Sequence, residues 1–303
     1  MTDVSVIIPT HNRPYMLPRA VESARNAGRK VEVIVVDDAS TDDTAKVCRA
    51  LEGIKYIRLE QNQGVAGARN VGLLASSSDY IAFLDDDDLR LPSSLDLQTG
   101  ALSSQSQAGW CCGSILFADQ SGELTGEKSS PKPEGGDVFW QLLELDFPVM
   151  PISVVIRKEC FFRVGLFRRS LAGIDDWDLF VRLAELYPVI SLAEPVCIYR
   201  QPTPSSGQGS SAQARHLTRA ARHQWQLLKL PRTAEASAAR RREVRRRTVN
   251  RIADTLLWNA ARRLPEGAYR FACANALAAL RLNPLRAMRP MAYKRLCQRL
   301  LAH

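Results

Sequence analysis

The chain has 303 residues, 46% of them hydrophobic and 24% charged, with a net charge of +9. This is the composition of a globular protein rather than a disordered or fibrous one, and the length suits one large or two modest domains. No run of 18 apolar residues occurs, so no membrane-spanning helix is expected. The first residues, Met-Thr-Asp-Val-Ser, carry neither the basic region nor the apolar stretch of an export signal, and a cytoplasmic location is expected. Seven cysteines (48, 111, 112, 160, 197, 273 and 297) form no Cys-x-x-Cys pair, which argues against zinc or redox spacing and for buried thiols in a reducing compartment. Charge is divided unevenly. Residues 211–303 hold 21 Lys and Arg against 4 Asp and Glu, a net +17, which leaves −8 for residues 1–210.

In chain order, Val4-Ser-Val-Ile-Ile8 is a β-branched run that meets Pro9-Thr10. Val31–Val36 repeats it and stops at Asp37-Asp38, and Ile54–Leu59 and Tyr80–Leu84 supply two more. Apolar residues at helical spacing fill about 15–28, 41–52 and 65–77. Ser40 or Thr41 is the expected N-cap of the second helix, with Asp42 and Asp43 favourable to its dipole. Strands about 25 residues apart with helices between them indicate βαβ units and a parallel sheet. Ligands bind such sheets beyond the carboxyl ends of the strands, where Thr10, Asp37-Asp38 and Asp85–Asp88 should converge. Further on, strands are expected over 108–119, 153–156 and 188–199, and an amphipathic helix over 177–186. Residues 202–213 are a Pro/Ser/Gly-rich linker or lid, and 214–301 read as helices broken at Leu264-Pro-Glu-Gly267 and Asn283-Pro284.

Four consecutive aspartates, Asp85–Asp88, close the apolar run Tyr80-Ile-Ala-Phe-Leu84. Like charges about 4 Å apart repel by roughly 1 kcal/mol in bulk water and by about 4 at an effective dielectric of 20. Either the run is a solvated acidic turn, or a positive partner sits there, most economically a hard divalent cation with oxygen ligands. Asp37-Asp38 fits either a ribose contact or simple helix-start electrostatics. Asn62-Gln-Gly-Val-Ala-Gly-Ala-Arg-Asn70 opens a helix with approachable backbone and a cation, a combination suited to an anion. Asp175-Asp176-Trp177-Asp178 precedes the 177–186 helix. Its members can cap that helix, with Asp178 a dipole partner, or one can serve as a general base.

Val-Ile-Ile-Pro-Thr-His-Asn-Arg, Val-Val-Asp-Asp-Ala-Ser-Thr-Asp, Asn-x-Gly-x-x-x-Ala-Arg-Asn and Phe-Leu-Asp-Asp-Asp-Asp occur in this order. Together they closely resemble family 2 glycosyltransferases of the GT-A fold, over roughly residues 3–200. Val155-Ile-Arg-Lys, Val164-Gly-Leu-Phe and Asp175-Asp-Trp-Asp-Leu-x-x-Arg-Leu183 extend the likeness. The resemblance implies an inverting, metal-dependent transfer of sugar from a nucleotide diphosphate, with a UDP-sugar favoured, to a glycan or lipid-linked hydroxyl acceptor. It implies a GT-A catalytic domain over 1–201, with a nucleotide-binding half to about 108 and an acceptor half beyond it. The α/β fold would be a Rossmann-like mixed sheet flanked by helices, followed by a basic helical region over 214–303.

By the same resemblance, Asp85 meets the ribose and Asp87 the Mg²⁺ or Mn²⁺ of the diphosphate. Asp86 takes the variable middle position of the nucleotide-sugar set. Pro9, Thr10 and Asp38 hold the nucleotide, Arg69 stands near the phosphates, and Asp176 is the catalytic base, with Asp175 and Trp177 in acceptor or secondary roles. The chain departs from the family in having Asp175 where Glu is usual, and Arg168-Arg169 where an acidic residue is common, which hints at altered acceptor contacts. The Gln-x-x-Arg-Trp motif of processive synthases is absent, which favours single additions. Two rival readings are a nucleotide-sugar-binding scaffold without turnover and a sugar nucleotidyltransferase. The latter would need a glycine- and basic-rich loop where Pro9-Thr-His-Asn-Arg13 stands.

In the tail, Arg240-Arg-Arg-Glu-Val-Arg-Arg-Arg247 is a dense basic run. It fits a solvated helix face or attraction to an anionic membrane at the cytoplasmic side, with Leu256, Leu257 and Trp258 as apolar anchors. Docking of a protein partner is a third reading. Nucleic acid is disfavoured because no recognition motif accompanies the charge.

Overall fold

The computed structural model describes residues 3–131, 135–201, 211–264 and 267–287. The described chain divides into two compact units, 1–142 with 147–201, and 143–146 with 202–303.

The first unit begins with β1 (Val4–Thr10), α1 (Leu17–Asn26), β2 (Val31–Asp37), α2 (Thr44–Ala50), β3 (Ile54–Arg58), α3 (Gly64–Ala75) and β4 (Tyr80–Phe83). It continues through β5 (Leu89–Arg90), α4 (Ser94–Ser104), β6 (Trp110–Ala118), β7 (Leu124–Ser129) and α5 (Phe139–Leu143). The remaining elements are β8 (Val154–Arg157), α6 (Cys160–Val164), α7 (Asp175–Leu186) and β9 (Val189–Arg200). The described strands form one mixed sheet in the order β3-β2-β1-β4-β8-β6-β9-β5, with β7 paired to β6. The β1 pairings to β2 and β4 and the β2–β3 pairing are parallel, while β8 runs antiparallel to both β4 and β6.

β1 and the second half of β2 are buried on both faces, which is why they read as unbroken apolar, largely β-branched runs, whereas the edge strand β3 carries the exposed Lys55 and Arg58. β1 is buried throughout, and Val6, Ile8, Val33, Val35, Leu17, Val21 and Leu84 share one core cluster. On the other face, Ile34 and Val36 pack with Ala68 of α3. Gly72 of α3 crosses β1 so closely that a Cβ there would lie 2.4 Å from Ile7 Cγ2. Parallel register places Thr10 beside Asp37 at the carboxyl edge, and Leu84 continues from β4 alongside it through a bond from its N–H to Ile7 O.

Two local expectations are corrected. α2 starts at Thr44, later than a Ser40 or Thr41 cap would place it. Asp42 Oδ1 accepts from Thr44 N at 2.9 Å, while the Ser40 hydroxyl accepts from Asn12 N and so ties two loops together. The 89–108 stretch, left unassigned by the sequence, contains β5 and α4.

The second unit is helical: α8 (Ser211–Leu227), α9 (Pro231–Glu235), α10 (Ala238–Arg263), α11 (Tyr269–Leu282) and α12 (Pro284–Ala287). Asn283 separates the last two helices where the sequence predicts a break. Residues 202–210, which make up most of the proposed linker or lid, lie outside the described residues, as do 265–266 and 288–303. No helix among the described residues is long and apolar enough to cross a membrane. Leu256 and Leu257 are buried and Trp258 is half-buried, which removes them as membrane anchors.

Candidate active site

Thr10 ends β1 buried, and its hydroxyl donates to Asp86 Oδ2 at 2.7 Å. Pro9, also buried, sits opposite Val36 of β2. The chain then turns through Asn12, at φ 55°, and returns Arg13 to the acidic run. One Arg13 guanidinium nitrogen reaches Asp86 Oδ1 at 2.8 Å and Asp87 Oδ2 at 2.9 Å. Arg13 is thus the positive partner that the acidic run demanded. Burial pushes Asp86 up to about 6 against the pull of Arg13 and Thr10. Burial and repulsion from Asp85 likewise raise Asp87, with Arg13 opposing.

The two aspartates after β2 have different partners. Asp37 is fully buried and accepts from Ser40 N and the Tyr56 hydroxyl, a structural role. Asp38 Oδ1 accepts from Gln63 N at 2.6 Å, at the mouth of α3. Its carbonyl receives His11 Nδ1 and Asn62 Nδ2. Asp38 thereby joins the loops that follow β1, β2 and β3.

Asp85 keeps 27% of its side chain exposed and accepts from Arg69 Nη2 at 2.6 Å. Arg69 is not an open cation at the start of α3. It is 5% exposed, walled by the rings of Phe83 and Phe167, with Nη1 4.0 Å from Asp175 Oδ2. Burial opposes its charge, but Asp85, Asp175 and Asp176 outweigh that and hold it firmly protonated. Asp88 is buried beneath the run. Its Oδ1 accepts from Arg200 N at 2.8 Å, its Oδ2 has no hydrogen-bond partner, and burial with Asp85 repulsion pushes it well up.

Arg69 brings the start of α7 to the same place. Asp175 is buried, with Oδ1 accepting from Gly173 N, and burial and its neighbour Asp176 push it up to about 6. Asp178 is fully buried between Arg168 and Arg182, at 2.9 and 2.8 Å. Arg168 gives one guanidinium nitrogen to this pair, while 48% of its side chain stays exposed. Trp177, expected in an acceptor or secondary role, is buried, and its indole donates to Leu142 O at 2.8 Å. Asp176 differs from all three. It is only partly buried, and one oxygen caps the helix by accepting from Trp177 N at 2.8 Å. It is the accessible carboxylate of this cluster.

Residues 5–162 match the profile of Glycosyl transferase family 2, more than half of the chain. The chain belongs to that family. The GalNAc(5)-diNAcBac-PP-undecaprenol beta-1,3-glucosyltransferase of Campylobacter jejuni is 43% identical over 114 residues, 35% of this chain and 34% of that protein. The succinoglycan biosynthesis protein ExoU of Rhizobium meliloti is 39% identical over 122 residues, 39% of this chain and 34% of that protein. This family 2 chain spans between 26% and 62% of the length of curated relatives it matches. S. aureus TarS 1–349, in its complex with UDP-GlcNAc, superposes with a TM-score of 0.63 at 20% identity, covering 82% of this chain and 72% of that one. The mixed sheet with flanking helices is thus the GT-A fold.

The family 2 site suits a hard cation by its donor chemistry. Among the described residues no three acidic, His or Cys side chains already form a cage. Mg²⁺, however, is ordinarily held by one or two carboxylates together with substrate phosphates. Asp87 and Asp85 stand partly open at the edge, and burial and mutual repulsion raise Asp87, a penalty that a cation relieves. Sequence reasoning passed over Arg13 as an ion-pair partner. The available signal was the electrostatic one, since four adjoining carboxylates require a cation and Arg13 lies just beyond the neighbouring strand.

Proposed function

We propose that this chain is an inverting glycosyltransferase that moves a sugar from a nucleotide diphosphate, preferably a UDP-sugar, to a hydroxyl acceptor. The observation that carries this reading is the joining of two acidic sets through one buried guanidinium. Arg69 holds Asp85 of the β4 edge and lies beside Asp175, so the accessible Asp176 stands at the same locus as the acidic run.

In this reading the loops gathered by Asp38 receive the nucleotide beside Pro9 and Thr10, and Asp85 meets the ribose. Asp86, locked by Thr10 and Arg13, shapes the floor under the donor. A divalent cation, Mg²⁺ or Mn²⁺, held by Asp87 would neutralise charge developing on the leaving diphosphate. Asp176 takes the proton from the acceptor hydroxyl as its oxygen attacks the anomeric carbon opposite the leaving nucleotide. The new C–O bond forms as the old one breaks, and the configuration inverts. Asp175 acts behind Asp176 through Arg69 and touches no substrate. Names among the relatives, an undecaprenol-linked glucosyltransferase and a succinoglycan biosynthesis protein, support a lipid-linked or surface-glycan precursor as acceptor.

Release of nucleotide from UDP-, GDP- and dTDP-sugars, with and without Mn²⁺, tests the proposal. Wild type should turn over one donor class, and Asp176→Asn should lower kcat by about 10²–10⁴-fold, the usual contribution of a general base. The amide oxygen can still cap α7, so thermal stability should hold. Nucleotide binding without turnover of any donor would favour a silent scaffold.

A further inference from the structure

We propose that the outer face of α11 docks the protein on an anionic lipid surface, and that the dense arginine run of α10 does not. This inference stands apart from the proposed transfer activity, because vesicle binding is read without turnover. In the second unit five of the six arginines over 240–247 have partners within it, while Arg242 is exposed and has none among the described residues. Arg240 and Arg247 pair with Glu144, Arg246 and Arg247 with Glu243, and Arg251 with Asp146. Arg241 donates to three carbonyls at the end of α9, and Arg245 stacks on Trp225 while donating to Gln224. Arginines already paired with carboxylates add less net attraction to an anionic surface than unpaired ones.

α11 is arranged differently. Ala272, Asn275 and Ala279 form its buried side. Tyr269, Cys273, Leu277 and Leu280 recur at intervals of four, four and three residues, so they form one stripe, and all four are exposed. Arg270 and Arg281 flank that stripe along one border, both exposed, and neither has a carboxylate partner among the described residues. The helix contains no acidic residue, and Leu285, 76% exposed in α12, extends the apolar surface. An apolar stripe bordered by free arginines is the pattern of a helix lying in a lipid interface, with side chains in the acyl boundary and guanidiniums on the head groups. The border arginines select the occupant: an anionic surface satisfies them, whereas a second copy of this basic helix would place arginine against arginine.

The test is co-sedimentation of the full chain with vesicles of equimolar phosphatidylglycerol and phosphatidylcholine, against pure phosphatidylcholine. Binding is expected to the anionic vesicles only. Arg270→Gln with Arg281→Gln should weaken it about 30-fold, at about fivefold per basic residue. Leu277→Glu with Leu280→Glu should abolish it, whereas Arg246→Gln with Arg247→Gln should lower it less than either pair. A second readout needs no disruptive change: an environment-sensitive label on Cys273, in a Cys297→Ser background, should shift to the blue on anionic vesicles. The proposal is overturned if wild type ignores anionic vesicles or if the label is unmoved when the protein binds. It also fails if light scattering shows a dimer that Leu277→Glu with Leu280→Glu dissociates.

Discussion

Asp175 and Asp176 are adjacent at the start of α7, yet their surroundings give them opposite work. Asp175 is buried beside Arg69 and pushed up to about 6, while Asp176 remains accessible. The ordinary value is 3.8, so between about pH 4 and 6 the folded chain holds a proton that the unfolded chain has released. Stability therefore falls as pH rises through that window and levels off above it. Asp175→Asn removes the penalty while keeping an oxygen for Gly173 N. It should stabilise the protein by up to about 3 kcal/mol above pH 6 and by little below pH 4. Melting temperature measured against pH checks this, and equal profiles for the two proteins would refute the burial argument. The identity of these carboxylates was legible in the sequence, but their division of labour was not. Adjacent aspartates look alike until the helix start turns one inward, and Arg69 reads as an open cation until Phe83 and Phe167 close over it.

β1 and β2 were the most legible because burial on both faces leaves little choice but apolar, mostly β-branched residues. β1 to β4 and the helices between them fall where the sequence places them, apart from the late start of α2. α4 was missed because its buried set, Leu95, Gln98 and Leu102, is interrupted by a polar residue. That glutamine is buried to receive Arg90 and to donate to Cys111 O and Ser153 O, a tertiary role with no local signature. One close meeting of elements is Gly72 of α3 against Ile7 of β1. Gly72→Ala would press a methyl into a β-branched core side chain that cannot yield. Overpacking costs about 1–3 kcal/mol, and alanine's helix preference offsets up to about 1. A net loss of up to about 2 kcal/mol in denaturant unfolding is expected. Adding Ile7→Ala should cost less than the sum of the two single changes, because it vacates the space; strict additivity would show that the contact is slack.

At the scale of the whole chain, composition gave the division into an acidic part and a basic helical part, but not the use of the charge. Counting arginines over 240–247 suggests a binding surface, whereas Glu144 and Glu243 absorb three of those six and Asp146 takes the nearby Arg251. Two of these acids lie some hundred positions away, beyond the reach of a local reading. The same lesson applies to Arg13, which grips Asp86 and Asp87 together. On the proposed function, in which Asp87 holds a divalent ion, this built-in counter-ion on an Asp87 oxygen would make loading of that ion an exchange rather than a simple addition. Releasing one charge-assisted hydrogen bond costs about 1.5–3 kcal/mol, so Arg13→Gln should tighten Mn²⁺ binding to the nucleotide-free protein by roughly 10- to 100-fold in calorimetry. Unchanged affinity would show that guanidinium and ion do not compete. If they do, the wild-type chain discriminates against stray metal until the donor's phosphates add ligands of their own, and cation and donor bind cooperatively.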